Sequence, residues 1–430
     1  MPPTATAGPP PPVADAKTPP KPKKPPVKPF EFSVPVRTVR DTLRILKAAI
    51  VSRSTLPILG SVMIERDGRI TRFTATDLDI ILSHNLAVEE VEPVTELGRK
   101  LLEARHARCN GRVAVEHHSL TNLLKGMDLD GNPLPEMQFR CRDGDFSFSY
   151  PICGRTVDDA RCVDDPDAFP PVHPLVSPEP TVALPESIRT ALMASLPFAS
   201  TDETRYTLNG VFLDAGRGAV VATDGRAMLV TTVPMPFKQS LVVPTATVKT
   251  LQGLWRAPAL DITEISVIPI KDEKDAFSVR FDIGSSPVPR SPRLWTLTSK
   301  TIDGNFPNWQ QVIPETTGRL IELSAPVLAD FLASVPRLPK AKDGDNFDPV
   351  DITLRNNTVL RIATLEAAYV EHPVHSTGKP AKLVQVRLAR DFLMRAFKLG
   401  LRNFGLTDAL APVVFSEGAR RMIAMPIRAT

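Results

Sequence analysis

The chain has 430 residues, a formal net charge of +4, 42% hydrophobic residues and 23% charged residues. At about 100–200 residues per domain, this length favours two to four domains. Nowhere does the sequence approach the roughly 18 consecutive apolar residues of a membrane-spanning helix, which excludes a helical membrane protein. The N-terminal segment lacks the apolar core of a secretory signal, so we expect the protein in the cytoplasm.

Residues 1–30 differ in composition from the rest of the chain. They hold 12 of the 44 prolines, five lysines and a single acidic residue, Asp15. So little of this segment can pack that it is predicted to be a disordered, partly polyproline II arm. The remaining chain has equal numbers of basic and acidic residues, so the net positive charge belongs to the arm.

The four cysteines form no C-x-x-C pair. Reduced thiols are expected, because a chain of this size can bury a core without disulfides. His106 and Cys109 form an H-x-x-C motif, but a zinc site needs a second close ligand pair, which is missing here. We therefore expect neither a metal nor a cofactor, with zinc at this motif as a minor alternative.

Proline-dense stretches divide the chain. Those at residues 166–180 and 306–314, together with a break at 316–318, predict linkers. The resulting blocks are the arm (1–30) and three domains at 31–173, 178–314 and 318–430, each near the commonest domain size.

The three blocks share a short motif at the end of a β-type run. Residues 73–77 read FTATD, residues 220–224 read VVATD and residues 361–365 read RIATL. Thr76, Thr223 and Thr364 thus recur at domain-length intervals, which indicates a triplicated domain. In the third copy Leu365 replaces the aspartate.

Two predicted helices carry a basic stripe beside an apolar one. In the first, apolar residues recur at three- and four-residue steps from Val36 to Ile50, which predicts a helix packed on a sheet. Arg37, Arg40, Arg44 and Lys47 follow the same steps beside them. A helix near residues 387–401 repeats this design. Further helices are predicted near 119–125, 186–194, 244–256 and 325–335. These stripes are either ordinary solvated faces or contacts to phosphates.

Standard catalytic motifs are missing. The sequence contains no G-x-S-x-G, H-E-x-x-H, P-loop or G-x-G-x-x-G. Asp77, Asp79 and Asp224 could be imagined as metal ligands, yet each follows a predicted strand, where aspartate commonly caps a turn. This pattern favours a binding protein over an enzyme.

Longer motifs resemble the bacterial replicative sliding clamp, the beta subunit of DNA polymerase III. They read STLPILGSV (54–62), ATDLDI (75–80), RYTLNGVFLD (205–214), ATDGRAML (222–229), LTSKTIDGNFPNWQQVIP (297–314) and IAMPIR (423–428). The resemblance spans residues 31–430. It implies an α+β fold of three tandem clamp domains, with antiparallel sheets outside and helices lining a ring.

The resemblance also implies a function without turnover. A head-to-tail homodimer would encircle double-stranded DNA and tether the DNA polymerase III alpha subunit, the clamp loader, and other polymerases and repair proteins through short linear motifs. Basic helices suit such a ring, because phosphate contacts carry no sequence information. The expected DNA contacts are Arg37, Arg40, Arg44, Lys47, Arg53, Lys125, Arg189, Tyr206, Lys249, Arg390 and Lys398.

Two further sites follow from the resemblance. Phe146 and Phe148 match an apolar pair at the subunit seam, although alternating phenylalanines also suit a core-facing strand. A groove for partner peptides would be lined by Leu208, Thr223, Gly225, Arg226, Met228, Pro307, Val312, Met425, Pro426, Ile427 and Arg428. Residues 425–428 could equally form a terminal β-strand. Ala227 and Gln311 stand where the family commonly has arginine.

Two other hypotheses remain open at this point. The aspartates could serve a metal-dependent enzyme acting on nucleic acids. Alternatively, the chain could be a clamp-derived scaffold that binds partners without closing on DNA.

Overall fold

The computed structural model describes residues 30–51, 53–67, 70–87, 111–130, 135–142, 145–161, 164–170, 181–256, 263–270, 277–284, 294–314, 318–340, 348–378 and 384–428. Residues 1–29 of the predicted arm and the His106 and Cys109 pair lie outside these ranges. None of the helices within them is long and apolar enough to cross a bilayer.

The elements fall into three consecutive units. The first unit contains β1 (Phe30–Pro35), α1 (Val36–Leu46), β2 (Ser61–Asp67), β3 (Ile70–Thr76), β4 (Ile80–Ala87), β5 (Gly111–Glu116), α2 (His117–Leu124), β6 (Glu136–Arg142), β7 (Asp145–Ile152) and β8 (Arg155–Arg161). The second contains β9 (Val182–Ala183), α3 (Glu186–Ser195), β10 (Gly210–Asp214), β11 (Ala219–Thr223), β12 (Ala227–Thr232), β13 (Leu241–Pro244), α4 (Thr245–Trp255), β14 (Thr263–Pro269), β15 (Phe277–Ile283) and β16 (Trp295–Lys300).

The third unit repeats this order with one added strand. It contains β17 (Arg319–Glu322), α5 (Ala325–Ser334), β18 (Pro349–Arg355), β19 (Val359–Thr364), β20 (Tyr369–Pro373), β21 (His375–Thr377), β22 (Val384–Ala389), α6 (Arg390–Lys398), β23 (Asn403–Leu406), β24 (Val413–Glu417) and β25 (Arg420–Ala424). All six predicted helices are present, within a few residues of their predicted ends.

The strands form antiparallel sheets that run from one unit into the next. Their orders are β1-β6-β7-β8, then β5-β2-β3-β4-β16-β15-β14-β9, then β13-β10-β11-β12-β25-β24-β23-β17-β21, then β20-β19-β18-β22. The two long sheets arise where β4 of the first unit pairs with β16 of the second, and where β12 of the second pairs with β25 of the third. The two short sheets lie at opposite ends of the chain of units.

The helices cover one side of these sheets. α1 packs against α2 within its unit and against α4 of the next unit, while α3 packs on α4 and α5 on α6. Their apolar stripes are buried because they face the sheets. In α1 the buried stripe is Val36, Val39, Leu43 and Leu46, as the three- and four-residue spacing predicts.

The repeated Ala-Thr-Asp motif builds the same turn in the first two units. The Asp77 carboxylate accepts hydrogen bonds from the N–H groups of Asp79 at 3.0 Å and Ile80 at 2.6 Å. The Asp224 carboxylate accepts equivalent bonds from Arg226 at 2.8 Å and Ala227 at 2.7 Å. The prediction that these two aspartates cap turns is confirmed.

Phe146 and Phe148 do not lie at an exposed edge, so that prediction is wrong. Their side chains are 1% and 0% exposed, and their rings meet edge to face at 4.6 Å between centroids. They belong to β7, an inner strand between β6 and β8. Both rings point into the core, as the alternative interpretation of alternating phenylalanines anticipated.

Residues 306–314, predicted as a linker, also pack against a sheet. Phe306, Trp309 and Ile313 pack against an apolar cluster on the sheet of the second unit. The Trp309 indole N–H donates to the Asp214 carboxylate at 3.1 Å. Proline content marked the irregular backbone correctly, but gave no signal of this packing.

A buried histidine stabilises the first junction. His84 on β4 lies opposite Trp295 on β16, and their rings stack at 4.1 Å. The Thr42 hydroxyl donates to the Thr38 carbonyl at 2.7 Å, so its oxygen is left to accept a hydrogen bond from His84 Nδ1 at 2.7 Å. Burial lowers the pKa of His84 to about 3, so this ring is neutral in the folded protein.

His84 makes stability depend on pH. The unfolded chain takes up a proton near pH 6.5, whereas the folded chain resists protonation down to about pH 3. As the pH decreases from 6.5 towards 3, the free energy of unfolding should therefore fall by about 1.4 kcal/mol per pH unit. We expect His84→Gln to flatten this dependence in urea titrations between pH 7.5 and 5. His118→Gln, at an exposed ring, is the control, and an unchanged slope in His84→Gln contradicts the assignment.

Candidate nucleic-acid interface and peptide groove

The basic stripe of α1 lies outside its buried face. Arg37, Arg44 and Lys47 are exposed and Arg40 is half-buried. Asp41 lies 3.7 Å from Arg40 and 3.9 Å from Arg44. Such long, solvated pairs contribute little, so these cations remain available to phosphates.

Most of the other predicted DNA contacts are also exposed. They are Arg53, Lys125, Tyr206, Lys249 and Lys398. Arg189 on α3 is half-buried. Lys249 and Lys398 belong to α4 and α6, whereas Arg53 and Tyr206 lie outside the six helices.

Arg390 does not belong to this surface, and its prediction as a DNA contact is wrong. The side chain is 6% exposed and donates hydrogen bonds to the carbonyls of Leu338 at 2.7 Å and Pro339 at 2.6 Å. Asp348 completes an ion pair at 3.1 Å. Arg390 instead ties the start of α6 to the segment after α5.

Arg395 on α6 joins two units. Its guanidinium donates to the Pro197 carbonyl at 2.6 Å and lies 5.6 Å from the Phe198 ring centroid. Both residues follow α3, so this contact sets the third unit against the second.

The predicted groove is built where the second and third units join. Its floor is the face of the β11, β12, β24 and β25 sheet that carries Met228 and Ile423. The 3-10 turn Trp309–Val312 flanks this floor, and Val312 remains 44% exposed. On the other side the Met425 N–H donates to the Arg226 carbonyl at 2.9 Å, with Met425 41% exposed.

The predicted groove residues differ in exposure. Leu208 and Met228 are buried, Thr223, Pro426 and Ile427 are half-buried, and Gly225, Arg226, Pro307, Val312, Met425 and Arg428 are exposed. Thr223 accepts a hydrogen bond from the Gly225 N–H at 3.0 Å, which fixes the turn beside the floor. An apolar floor with exposed polar edges suits a short peptide with hydrophobic anchors.

The C-terminal tail is anchored beyond the groove. The Ile427 N–H donates to the Arg387 carbonyl on β22 at 2.8 Å, and the Ile427 side chain packs on the core. Strand β25 itself ends at Ala424. The tail therefore leaves the sheet of β25 and is held by β22 of the neighbouring sheet. Residues 425–428 form no strand, so the terminal-strand interpretation does not hold for them, and Met425 stays accessible.

The equivalent turn at the first junction carries different side chains. Leu78, with a left-handed φ of 81°, occupies the turn position of Gly225, whose φ is 85°. The Lys300 N–H donates to the Asp79 carbonyl at 3.0 Å, and the two side chains pair at 3.4 Å. At the first junction Leu78, 46% exposed, and an ion pair therefore stand where the second junction has Gly225 and Met425.

Sequence reasoning missed several neighbours of the groove. Leu410 is 63% exposed in the loop before β24, which the pairing of Val413 with Ala424 places beside the tail. Phe306, Trp309 and Ile423 complete the apolar lining. Tryptophan in a proline-rich segment was the available signal for Trp309. A loop leucine such as Leu410 has no comparable signal.

Comparisons with known proteins show which proteins this chain is similar to. No protein-family model matches the chain. A beta sliding clamp of Synechocystis is 26% identical over 413 residues, covering 90% of this chain and 96% of that protein. A DNA polymerase III subunit beta sliding clamp from Pseudomonas aeruginosa superposes with a TM-score of 0.72 at 18% identity, covering 94% of this chain and all of that one.

A third match is also a sliding clamp. The C. crescentus beta sliding clamp superposes with a TM-score of 0.72 at 19% identity, covering 93% of this chain and 99% of that one. In that protein polyethylene glycol is bound at the tethering region proposed for its beta-motif.

The chain has the α+β architecture of a sliding clamp, with three tandem copies of one domain. The particular likeness is to the beta subunit of bacterial DNA polymerase III, and the resemblance seen in the sequence motifs is confirmed. These comparisons support a sliding-clamp function.

Gly225 offers a test of the groove. A Cβ at this position would lie 2.8 Å from an Arg205 guanidinium nitrogen, and the turn tolerates leucine at the equivalent Leu78. Gly225→Leu should therefore keep the fold but fill the groove and weaken binding of a fluorescent Gln-x-x-Leu-Phe pentapeptide at least about tenfold. Leu78→Gly is the matched control and should bind like the unmodified protein. Equal affinity in all three proteins would place the peptide site elsewhere.

Proposed function

We propose that this protein is a non-catalytic DNA sliding clamp of the bacterial cytoplasm. Two copies close head to tail into a ring around double-stranded DNA, each contributing clamp domains at about residues 31–173, 178–314 and 318–430. The ring tethers the DNA polymerase III alpha subunit and accepts the clamp loader and other polymerases and repair proteins. The observation that carries this proposal is the pair of short, open sheets at the two ends of a repeating chain of units.

The open edges are equivalent to edges that are already paired inside the chain. β20 occupies in the third unit the position of β4 and β12, and β8 occupies in the first unit the position of β16 and β25. Since β4 pairs with β16 and β12 with β25, β20 of one copy is suited to pair with β8 of another. Two such pairings close a symmetric ring and leave neither edge exposed.

Exposure along β8 and β20 supports this closure. Val157 on β8 is 36% exposed and Tyr369 on β20 is 49% exposed. Val370, half-buried, packs on the core of its own unit. These side chains replace the buried Phe146 and Phe148 as seam residues.

A ring with the helix layer inside places the cations of α1 and α6 around DNA. Contacts from such side chains go to phosphates, which are the same at every position, so the ring can slide. The groove lies on the sheet side and is free to hold a polymerase while DNA occupies the hole. Several partners can share it, because Met228 and Met425 have flexible thioether side chains.

Salt dependence tests the DNA contacts. Each phosphate that a variant no longer neutralises reduces the slope of log affinity against log salt by about 0.9. We expect Arg44→Ala/Lys47→Ala to shorten retention on closed circular DNA and to lower this slope. Arg355→Ala is the control, because Arg355 is exposed at the end of strand β18 and lies on no helix. Its long pair with Glu371, at 3.8 Å, contributes little.

Two outcomes would contradict the proposal. An equal drop in retention in Arg355→Ala would show that the helix layer has no special role. A protein with the native mass of one 47.0 kDa chain, and with no retention on circular DNA, would instead favour the scaffold that binds partners without closing.

A further inference from the structure

The two internal junctions share one strand register. Leu82 pairs with Leu297 at the first and Leu229 pairs with Met422 at the second. All four side chains are buried. The junctions therefore form a template that predicts the pairing at the open edges.

Residues at the open edges can be matched one by one to residues of the internal junctions. Leu229 lies opposite Ala222, and Val370 lies opposite Ile362. Ala222 and Ile362 are equivalent because both side chains face the core, although the Ala-Thr motif of the third unit is shifted by one residue along its strand. On the other strand, a two-residue turn ends at Arg420 in the β24–β25 hairpin and at Arg155 in the β7–β8 hairpin. Met422 and Val157, each two residues past this arginine, are therefore equivalent. Val157 should pair with Val370 of a second copy.

Two residues along β20 from Val370, the paired side chains differ from one junction to the next. The first junction pairs His84 with Trp295, whose rings stack. The second pairs Thr231 with Arg420. At the open edges the equivalent residues are His372 on β20 and Arg155 on β8.

The second junction shows what surrounds this position. Ala191 on α3, Thr231 and Arg420 line one groove of about 590 Å³ between the second and third units. Thr231 is 6% exposed, and its hydroxyl has no hydrogen-bond partner among the described residues. A helix residue, an edge-strand residue and an arginine from the neighbouring hairpin therefore meet at this point.

The third unit places charge where the second has alanine. Asp330 on α5 is equivalent to Ala191 on α3, since both helices have ten residues and continue into 3-10 turns that begin at Leu196 and Val335. The Asp330 carboxylate lies 2.5 Å from His372 Nε2 and is 53% exposed. The sheet edge beside this pair is open in one copy of the chain.

Arg155 supplies the complementary charge. It is exposed at the start of β8, and no carboxylate pairs with it in the part of the chain that the structure describes. A guanidinium can bind a carboxylate that already accepts a hydrogen bond from a histidine, because two oxygens are available.

We infer that Arg155 of one copy latches onto Asp330 and His372 of the next copy when the ring closes. This inference rests on the proposed function and specifies the partner as a second copy of this chain in the Val157 to Val370 register. Each ring contains the contact twice. The seam thus differs from the internal junctions, where Trp295 and Arg420 meet uncharged partners on the opposing strand.

Charge exchange tests the latch. Arg155→Glu and Asp330→Arg should each raise the dimer dissociation constant at least about tenfold, measured by sedimentation at low salt. The combined variant Arg155→Glu/Asp330→Arg should recover most of this affinity, because it restores opposite charges. Arg420→Glu, at the equivalent internal position, is the matched control and should dimerise like the unmodified protein. Thermal melting of each variant separates seam effects from unfolding.

Val157→Asp separates the latch from the ring. It buries a charge in any β8–β20 seam and should give a folded monomer. If Val157→Asp is monomeric while Arg155→Glu and Asp330→Arg dimerise normally, the β8–β20 seam is supported and the Arg155 contact is overturned. If the two single variants weaken the dimer without recovery in the combined variant, the direct contact is overturned. An unmodified chain that never dimerises overturns both proposals.

Discussion

Edge-to-edge pairing of antiparallel strands is the constraint on which the structure depends. Each unit carries two sheets, and each unpaired edge exposes a row of backbone donors and acceptors. Inside the chain these edges meet, β4 with β16 and β12 with β25. The same backbone chemistry fixes the order of the units, aligns the helices on one side and leaves β8 and β20 as the ends that a second copy can join.

Repetition of the unit also explains how one scaffold serves different purposes at equivalent places. The turn after the Ala-Thr-Asp motif has Leu78 in the first unit and Gly225 in the second, both with left-handed φ. Leucine adds an exposed apolar side chain at the first junction, whereas glycine adds none beside the apolar floor of the second. Likewise His84 is buried against Trp295, while the equivalent His372 lies at an open edge beside Asp330. Function arises from side chains that depart from the repeat.

Much of this arrangement could be predicted from the sequence. The spacing of Val36 to Leu46 predicted α1, and the repeated threonines predicted equivalent strands β3, β11 and β19. The groove residues were predicted through the family resemblance, since residues as distant as Met228 and Met425 have no local signal that joins them. The Met425 N–H bond to Arg226 is a tertiary contact, which periodicity cannot reveal.

The failures have physical causes as well. Alternation of Phe146 and Phe148 shows that one face of β7 is apolar, but not whether that face meets the core or a neighbour, and the next strand, β8, takes the edge. Arg390 continues a basic helical stripe, yet it lies in the first turn of α6, where carbonyls of the preceding segment and Asp348 surround it. A helical pattern does not show which turn the rest of the chain covers.

The most direct test of the ring is a covalent bond across its seam. In a Cys153→Ser background, Val157→Cys and Val370→Cys combined place two thiols opposite each other only if β8 of one copy pairs with β20 of another in the register of the internal junctions. Oxidation should give a covalent dimer on non-reducing gels, and rings closed on circular DNA beforehand should stay on it in denaturing detergent. Failure to form a cross-linked dimer, with the thiols shown to be reactive, would contradict ring closure through these strands.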